Sequence, residues 1–334
     1  MHCLPFPPNC LRKRVPMSAE AQAITPPRTA PKKRRQLSDI AILNLFIWPT
    51  LILLILINVF PLFYSLYLSF TNFVAAANKQ PVWVGTANYV DILTDPQLWQ
   101  YFATTGRYVI FSVGLQTIVG FTLAMLVRNK FKGSGVVTTL ILIPMMLSPV
   151  VVGLFWKLMY NPTFGFFNFL LGFTNPSNGP DVIASRFANQ SVPGLALAGV
   201  ILVDVWMWSP FVMLLVLSGL NAIPDYLYEA AVIDRASSWF QFWRITLPQV
   251  MPLLLIAVLF RTIEALKSFD LIMGLTGGGP GDQTEVIAVS LYREAFAGQF
   301  RTGHASALAY IILIIVIAIS NMYIRYLNKA KGEG

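Results

Sequence analysis

Cysteine and histidine are almost missing from this 334-residue chain, which holds two of each: Cys3, Cys10, His2 and His304. So few thiols and imidazoles exclude a disulfide framework and a Cys/His metal centre. Charge is scarce as well. Only 12% of residues are charged, where a soluble domain of ordinary composition carries about a quarter. The deficit is not spread evenly: from Ile40 to Asn78 there is no charged residue at all. A nucleotide-cradling motif is also lacking, because Gly277-Gly278-Gly279 has no Gly-Lys-Ser/Thr ending. That run is expected to be a flexible turn. Length alone would suggest two soluble domains; the uncharged blocks instead describe one membrane-embedded bundle.

What is present is apolar: 56% of the chain is hydrophobic. Long apolar stretches are expected to cross the bilayer about six times, in an all-α integral membrane fold. The first span starts near Ile40 and continues beyond Pro61, and the others fall at about 108–127, 136–156, 194–219, 252–274 and 305–327. Each reaches the roughly 20 residues that a helix needs to cross a hydrocarbon core about 30 Å thick. Pro49, Pro61, Pro144 and Pro149 lie inside these stretches, and membrane helices accommodate proline when neighbours re-satisfy the freed backbone groups.

Basic residues set the orientation. Arg12, Lys13, Arg14, Arg28, Lys32, Lys33, Arg34 and Arg35 crowd the start of the chain. With that end inside, sixteen Lys/Arg fall on the cytoplasmic side, against four (Lys79, Arg186, Arg293 and Arg301) on the other. Both termini are therefore expected in the cytoplasm. The organisation expected is a disordered basic tail over residues 1–38 and a transmembrane domain over 39–334. The tail lacks the apolar core of a signal peptide. Its first stretch is Pro-rich, and Met17-Ser18-Ala19-Glu20 reads as a normal start; translation is expected to begin there. The outer loops, about 71–107, 157–193 and 275–304, are rich in Pro, Gly, Asn and aromatics, as in the run from Asn161 to Phe167. They suit either an interfacial belt or a docking partner.

The segment over residues 221–251 reads as two short helices on the cytoplasmic face. Pro224 suits a first helical position, and Asp225 and Glu229 place negative charge toward the positive end of the first helix dipole. Ser238 with Gln241 has capping-box spacing for the second, and Pro248 is expected to end it. Such a pair could simply lie in the lipid interface. The pattern is more particular: Glu229-Ala230-Ala231, then Asp234 three residues on, then Ile245, Leu247 and Pro248.

That pattern resembles the "EAA" loop of binding-protein-dependent ABC importers, and the likeness extends over roughly residues 40–330. Leu62–Phe70, Asn88-Tyr89, Trp206 with Pro210, the Leu275–Gly281 stretch followed by Thr284, and Ala305-Ser306-Ala307 are all similar to carbohydrate-type permeases. The resemblance implies an ABC-importer permease bundle in a bacterial-type cytoplasmic (inner) membrane. It implies that Glu229, Ala230, Ala231, Asp234, Arg235, Leu247 and Pro248 couple to separate ATP-binding cassette subunits. It also implies a second homologous permease, an external solute-binding protein, and a carbohydrate or polyol as cargo. The permease itself is expected to hold no cofactor, ATP being bound by the partner subunit, and to be a transport subunit, not an enzyme. There is one departure. The family has glycine directly after the acidic residue, where this chain has Arg235; either the turn is drawn differently or Arg235 contacts the ATPase.

Charged residues inside the spans are the remaining candidates. Arg261, Glu264, Lys267 and Asp270 recur every three residues, so adjacent members can pair along one helix face. The row is either a hydrophilic lining for a polyhydroxylated solute or a charge ladder locking the helix to its neighbours. Asp204, near Trp206 and Trp208, is either a substrate contact or a hydrogen-bonding group between helices. His304 suits an interface position more than a proton relay. Two rivals stand beside the importer. An ion-coupled secondary transporter would usually show an internal repeat, and none is evident. A membrane-embedded hydrolase needs a catalytic constellation for which two marginal histidines are too few.

Overall fold

The computed structural model describes residues 39–77, 80–129, 131–161, 165–166, 195–298 and 300–331. The basic tail, Met17, Lys79, Lys130, Arg186 and most of the expected outer loop at 157–193 lie outside the described residues. The chain divides into two compact units, 1–56 and 57–334. The described part of the first is the opening of helix α1 (Asp39–Ser69); everything else below belongs to the second.

Among the described residues, five helices are long and apolar enough to cross a membrane: Leu43–Ser69, Pro96–Arg128, Leu195–Ala222, Ser238–Leu266 and Thr302–Asn328. The stretch expected as a single third span is instead broken. It comprises α4 (Ser134–Leu142), a 3₁₀ turn (Pro144–Met146), an extended Leu147, and α5 (Pro149–Met159). The cause is local. Pro144 and Pro149 each lack a backbone donor. Ile143 before Pro144 stays helical, whereas Pro149 also turns the residue before it away from helical φ/ψ. Ser148 accordingly sits at φ −66°, ψ 135°.

Helix α2 (Ala87–Thr94) seals the end of α1. The Asn88 amide donates to the carbonyls of Ser69 and Thr71 at 2.8 and 2.9 Å, capturing two acceptors that the helix end would otherwise leave bare. Helix α3 (Pro96–Arg128) opens on an Asp95 cap whose carboxylate accepts from Gln97 N–H. It packs along α6 (Leu195–Ala222), the most enclosed helix of the unit. Gly120 allows the approach: a Cβ there would stand 2.6 Å from Val212 Cβ and 2.7 Å from the Ser209 carbonyl. Small residues at helix contacts let backbones close in where apolar burial gives no preference over lipid.

Helices α7 (Asp225–Ile233) and α8 (Ser238–Gln241) form the expected short pair, with two corrections of register. Pro224 is the residue before α7 rather than its first residue. The cap of α8 is Ser237, whose hydroxyl accepts from Phe240 N–H, while Gln241 donates to the Ala236 carbonyl. Pro248 does not end that helix either. The backbone continues through a π-helical turn (Phe242–Thr246) directly into α9 (Leu247–Leu266). The Leu247 N–H bonds back to Phe242 O, so the ladder has already changed register where Pro248 lacks its donor.

The expected fifth span also stops early. Helix α9 ends at Leu266, Lys267 to Phe269 turn, and α10 (Asp270–Leu275) begins a new helix. Helix α10 packs on α5, where a Cβ on Gly153 would meet the Leu271 carbonyl at 2.8 Å. Helix α11 (Ile287–Phe296) and the long α12 (Thr302–Lys331) complete the unit, α12 lying against α2, α9 and α11. Among the described residues three apolar clusters fill it, the smallest of them around Ile92, Leu98, Ile287 and Leu308. Of the two larger ones, one surrounds Tyr108, Val152, Val200, Met207 and Ile272, and the other Val212, Met213, Val216, Leu220 and Val250.

Candidate functional site

Charge is buried where three spanning helices meet. Asp204 of α6, Gln116 of α3 and Arg261 of α9 are exposed by only 2%, 0% and 3%. The Gln116 amide donates to Asp204 Oδ2 at 2.7 Å and to the Asp204 carbonyl at 3.2 Å. Its own oxygen accepts from Arg261 Nε at 2.9 Å. Arg261 Nη2 lies 3.4 Å from both carboxylate oxygens, and the guanidinium stacks over Trp208, 4.5 Å from the ring centre. Each member of the cluster thus answers another, as buried charge requires. Next to it the buried Tyr108 phenol donates to Ser268 at 3.1 Å, tying α3 to the break after α9. Gln116 was not among the candidates read from sequence, although an amide at the centre of an apolar span was a usable signal.

The remaining pathway candidates stand apart from this lock. Trp206 makes an edge contact with Trp156 at 5.4 Å and borders an apolar groove of about 370 Å³ with Val119, Leu140 and Pro144. The row Arg261, Glu264, Lys267, Asp270 does not pair along its whole length. Lys267 and Glu264 pair at 3.2 Å and are more than half exposed. Arg261 turns inward to Asp204, and Asp270 is an exposed residue at the start of α10. The helix break at Lys267–Phe269 takes Asp270 out of the i, i+3 register that the row assumed.

At the far end of α9, helix α7 presents two different faces. Tyr226, Glu229, Ala230 and Ile233 are exposed at the i, i+3, i+4, i+7 spacing of one helical stripe, Ile233 by 81%. Leu227 and Tyr228 turn the other way, onto the cluster of Val216, Leu220 and Val250, and Ala231 is buried. The two alanines therefore divide: Ala230 outward, Ala231 inward. Asp234 and Arg235 are exposed at the end of α7, and Leu247 and Pro248 open α9 as half-buried and exposed residues.

Arg235 keeps the backbone form that glycine favours. Its φ is +51°. Arg235 N–H donates to Val232 O at 3.0 Å, and Ala236 N–H to Ala231 O at 2.9 Å. These are the two bonds of a Schellman ending, whose left-handed residue is normally glycine. The turn is thus not redrawn; a bulky residue is held in a disfavoured region.

On the opposite rim, the Gly277–Gly281 stretch forms the expected turn, cross-tied by side chains. Thr284 bonds Thr276 and the Gly279 carbonyl, both at 2.7 Å. Arg293 donates to Gly277 O and pairs with Glu285 at 2.7 Å. Burial pushes the Glu285 carboxyl above its ordinary range, and Arg293 opposes that shift. His304 is buried against Glu294, Nδ1 to Oε2 at 2.6 Å.

A helical bundle with several spans, one of them broken by prolines, and a short exposed helix pair between two spans is the architecture of a membrane transport permease. The chain belongs to the family described as binding-protein-dependent transport system inner membrane component, which matches residues 116–331; it is a multi-pass inner-membrane protein. It is 34% identical over 283 residues to the trehalose/maltose transport system permease protein MalF of Thermococcus litoralis, covering 84% of this chain and 92% of that one. It is 35% identical over 293 residues to a probable ABC transporter permease, y4oQ, of Sinorhizobium fredii, covering 86% and 90%. Its fold is similar to a chain in the crystal structure of a bacterial ABC transporter involved in importing the acidic polysaccharide alginate, with TM-score 0.73, 21% identity, and coverage of 86% and 95%.

Two outcomes are expected from this geometry. Asp204→Ala strands the Arg261 charge and should cost about 3–5 kcal/mol, whereas Asp204→Ala combined with Arg261→Leu should recover much of that loss. Thermal unfolding in detergent measures both, and simple additivity of the two changes would contradict the lock. Arg235→Gly should stabilise the α7 ending by roughly 1 kcal/mol by removing a left-handed penalty, read as increased amide-exchange protection there; unchanged protection would contradict that assignment.

Proposed function

We propose that this chain is the permease subunit of an ATP-driven importer that translocates a carbohydrate or polyol delivered by an external solute-binding protein. The observation that carries this reading is the exposed stripe Tyr226, Glu229, Ala230 and Ile233 on α7. An 81%-exposed Ile233 beside a carboxylate is unfavourable in water and well suited to a protein groove. Glu229 would pair there with a basic residue of an ATP-binding cassette subunit, and small Ala230 would permit close approach. Hydrolysis takes place on that separate chain.

The excess of basic residues at the α7 end supports a cytoplasmic location for this face and for both termini. The pinned 277–285 turn then lies outside, where a binding protein would dock. The relative from T. litoralis is named for trehalose and maltose. A second structure of the alginate transporter holds a periplasmic protein bound to an alginate pentasaccharide. Both support a saccharide as cargo, and the second supports delivery by an external binding protein; membership of the importer family supports a second, homologous permease as the other half of the pathway. The exposed Glu264, Lys267 and Asp270, with Trp206, are the groups proposed to meet the solute. Asp204 and Trp208 support the pathway from behind, through Arg261.

Glu229→Lys reverses the charge at the docking face without touching the spans. Membrane insertion should be normal, while ATP turnover stimulated by loaded binding protein should fall to background. Normal stimulated turnover in this variant would overturn the docking role of α7.

A further inference from the structure

Three elements converge on one phenol oxygen behind the exposed face of α7. Arg128, the last residue of α3, donates from Nη1 to Tyr228 OH at 3.1 Å. Its guanidinium also lies 4.6 Å from the centre of the Tyr228 ring. The same hydroxyl is 2.9 Å from Thr246 Oγ1, which closes the π-helical turn leading into α9 and is 3% exposed. Tyr228 is on the inward side of α7, so its contacts leave Glu229 and Ile233 free for a partner.

The two helices joined here are the same two that hold the buried lock. From Arg128 back to Gln116 along α3 is about 18 Å, and from Thr246 to Arg261 along α9 about 22 Å, at the 1.5 Å rise of a helix. α3 and α9 are therefore tied to each other twice: through Arg261–Gln116 at mid-height, and through Tyr228 at the α7 end. A shift of α7 that keeps its hydrogen bonds must carry the ends of both helices with it. Hydrogen bonds to a charged donor and a cation over an aromatic face are the stronger members of their classes, so the join suits load transfer.

We propose that Tyr228, held by Arg128 and Thr246, is the positioning residue that converts displacement of α7 into joint displacement of α3 and α9. This rests on the importer reading above and assigns the transmission step within it to three named side chains. Docking and transmission are then separate properties of opposite faces of α7. Glu229 governs whether the ATPase is held; Tyr228 governs whether its stroke reaches the spans.

The test uses the complex that copurifies with the tagged chain, reconstituted in liposomes with its binding protein. ATP hydrolysed and maltose or trehalose accumulated are counted together. Tyr228→Phe keeps the ring and removes the shared oxygen; Arg128→Gln removes the cation, and Arg128→Lys restores one. The expected result is unchanged ATPase recovery and hydrolysis within about twofold, with solute accumulated per ATP falling on the order of fivefold to tenfold in Tyr228→Phe and in Arg128→Gln. Arg128→Lys should recover most of the ratio, and Tyr228→Phe with Arg128→Gln should be no worse than either alone. A merely structural role would lower complex yield and leave the ratio per ATP intact, which would overturn the proposal. So would loss of the ATPase from Tyr228→Phe, since that makes Tyr228 part of the docking face. If the wild-type chain retains no ATPase, the importer reading itself fails and this inference falls with it.

Discussion

The Asp204–Gln116–Arg261 cluster is the constraint around which the spanning helices are arranged. A carboxylate and a guanidinium buried within apolar helices are costly unless each is answered by the other and by a hydrogen-bonding neighbour. Here the answer comes from three separate helices, so α3, α6 and α9 cannot slide or rotate independently without stranding a charge. Gly120 and Gly153 then allow the backbones to approach closely enough for apolar packing to add to that register. Position in this bundle is therefore set by polar pairing and sharpened by shape, because lipid offers apolar side chains no worse an environment than a neighbouring helix does.

The features proposed to carry function sit at the edges of that locked frame. The proline-broken stretch from α4 to α5, the turn between α9 and α10, and the short pair α7–α8 are all places where the regular ladder is interrupted. Irregular backbone at membrane depth needs protein or water around it, and the Ser268–Tyr108 bond and the α5–α10 contact supply the protein. At one end the frame meets an exposed, partly apolar helix; at the other, a turn cross-tied by Thr284, Glu285 and Arg293. In the proposed importer these are the faces for the ATPase and for the solute-binding protein.

Much of this was legible in the sequence, for reasons that can be named. Apolar blocks near twenty residues long disclosed the spans, and the spacing of Glu229, Ala230, Ala231, Asp234 and Pro248 disclosed the α7–α8 pair and its family. Three kinds of feature were not legible. Prolines 144 and 149 are tolerated in many membrane helices, so composition did not say that here they would split a span. The register of Arg261, Glu264, Lys267 and Asp270 assumed one continuous helix; the break at Lys267–Phe269 and the competing carboxylate of Asp204, fifty-seven residues earlier in the chain, redistributed the pairs. Caps differ by a single position, as with Ser237 in place of Ser238, because serines side by side offer equivalent hydroxyls and only the backbone chooses. Arg235 is the instructive case: its identity left open either a redrawn turn or a contact with the ATPase, and the hydrogen bonds of the α7 ending hold it at φ +51°, in the form that glycine favours.

The central claim is that this chain is one membrane half of an assembly powered by a separate ATPase. It is tested most directly by solubilising the tagged chain in mild detergent and identifying what is retained with it. The account predicts recovery of an ATP-binding cassette subunit and a second permease of similar size. A chain recovered alone, and still able to concentrate solute in liposomes without ATP, would contradict it.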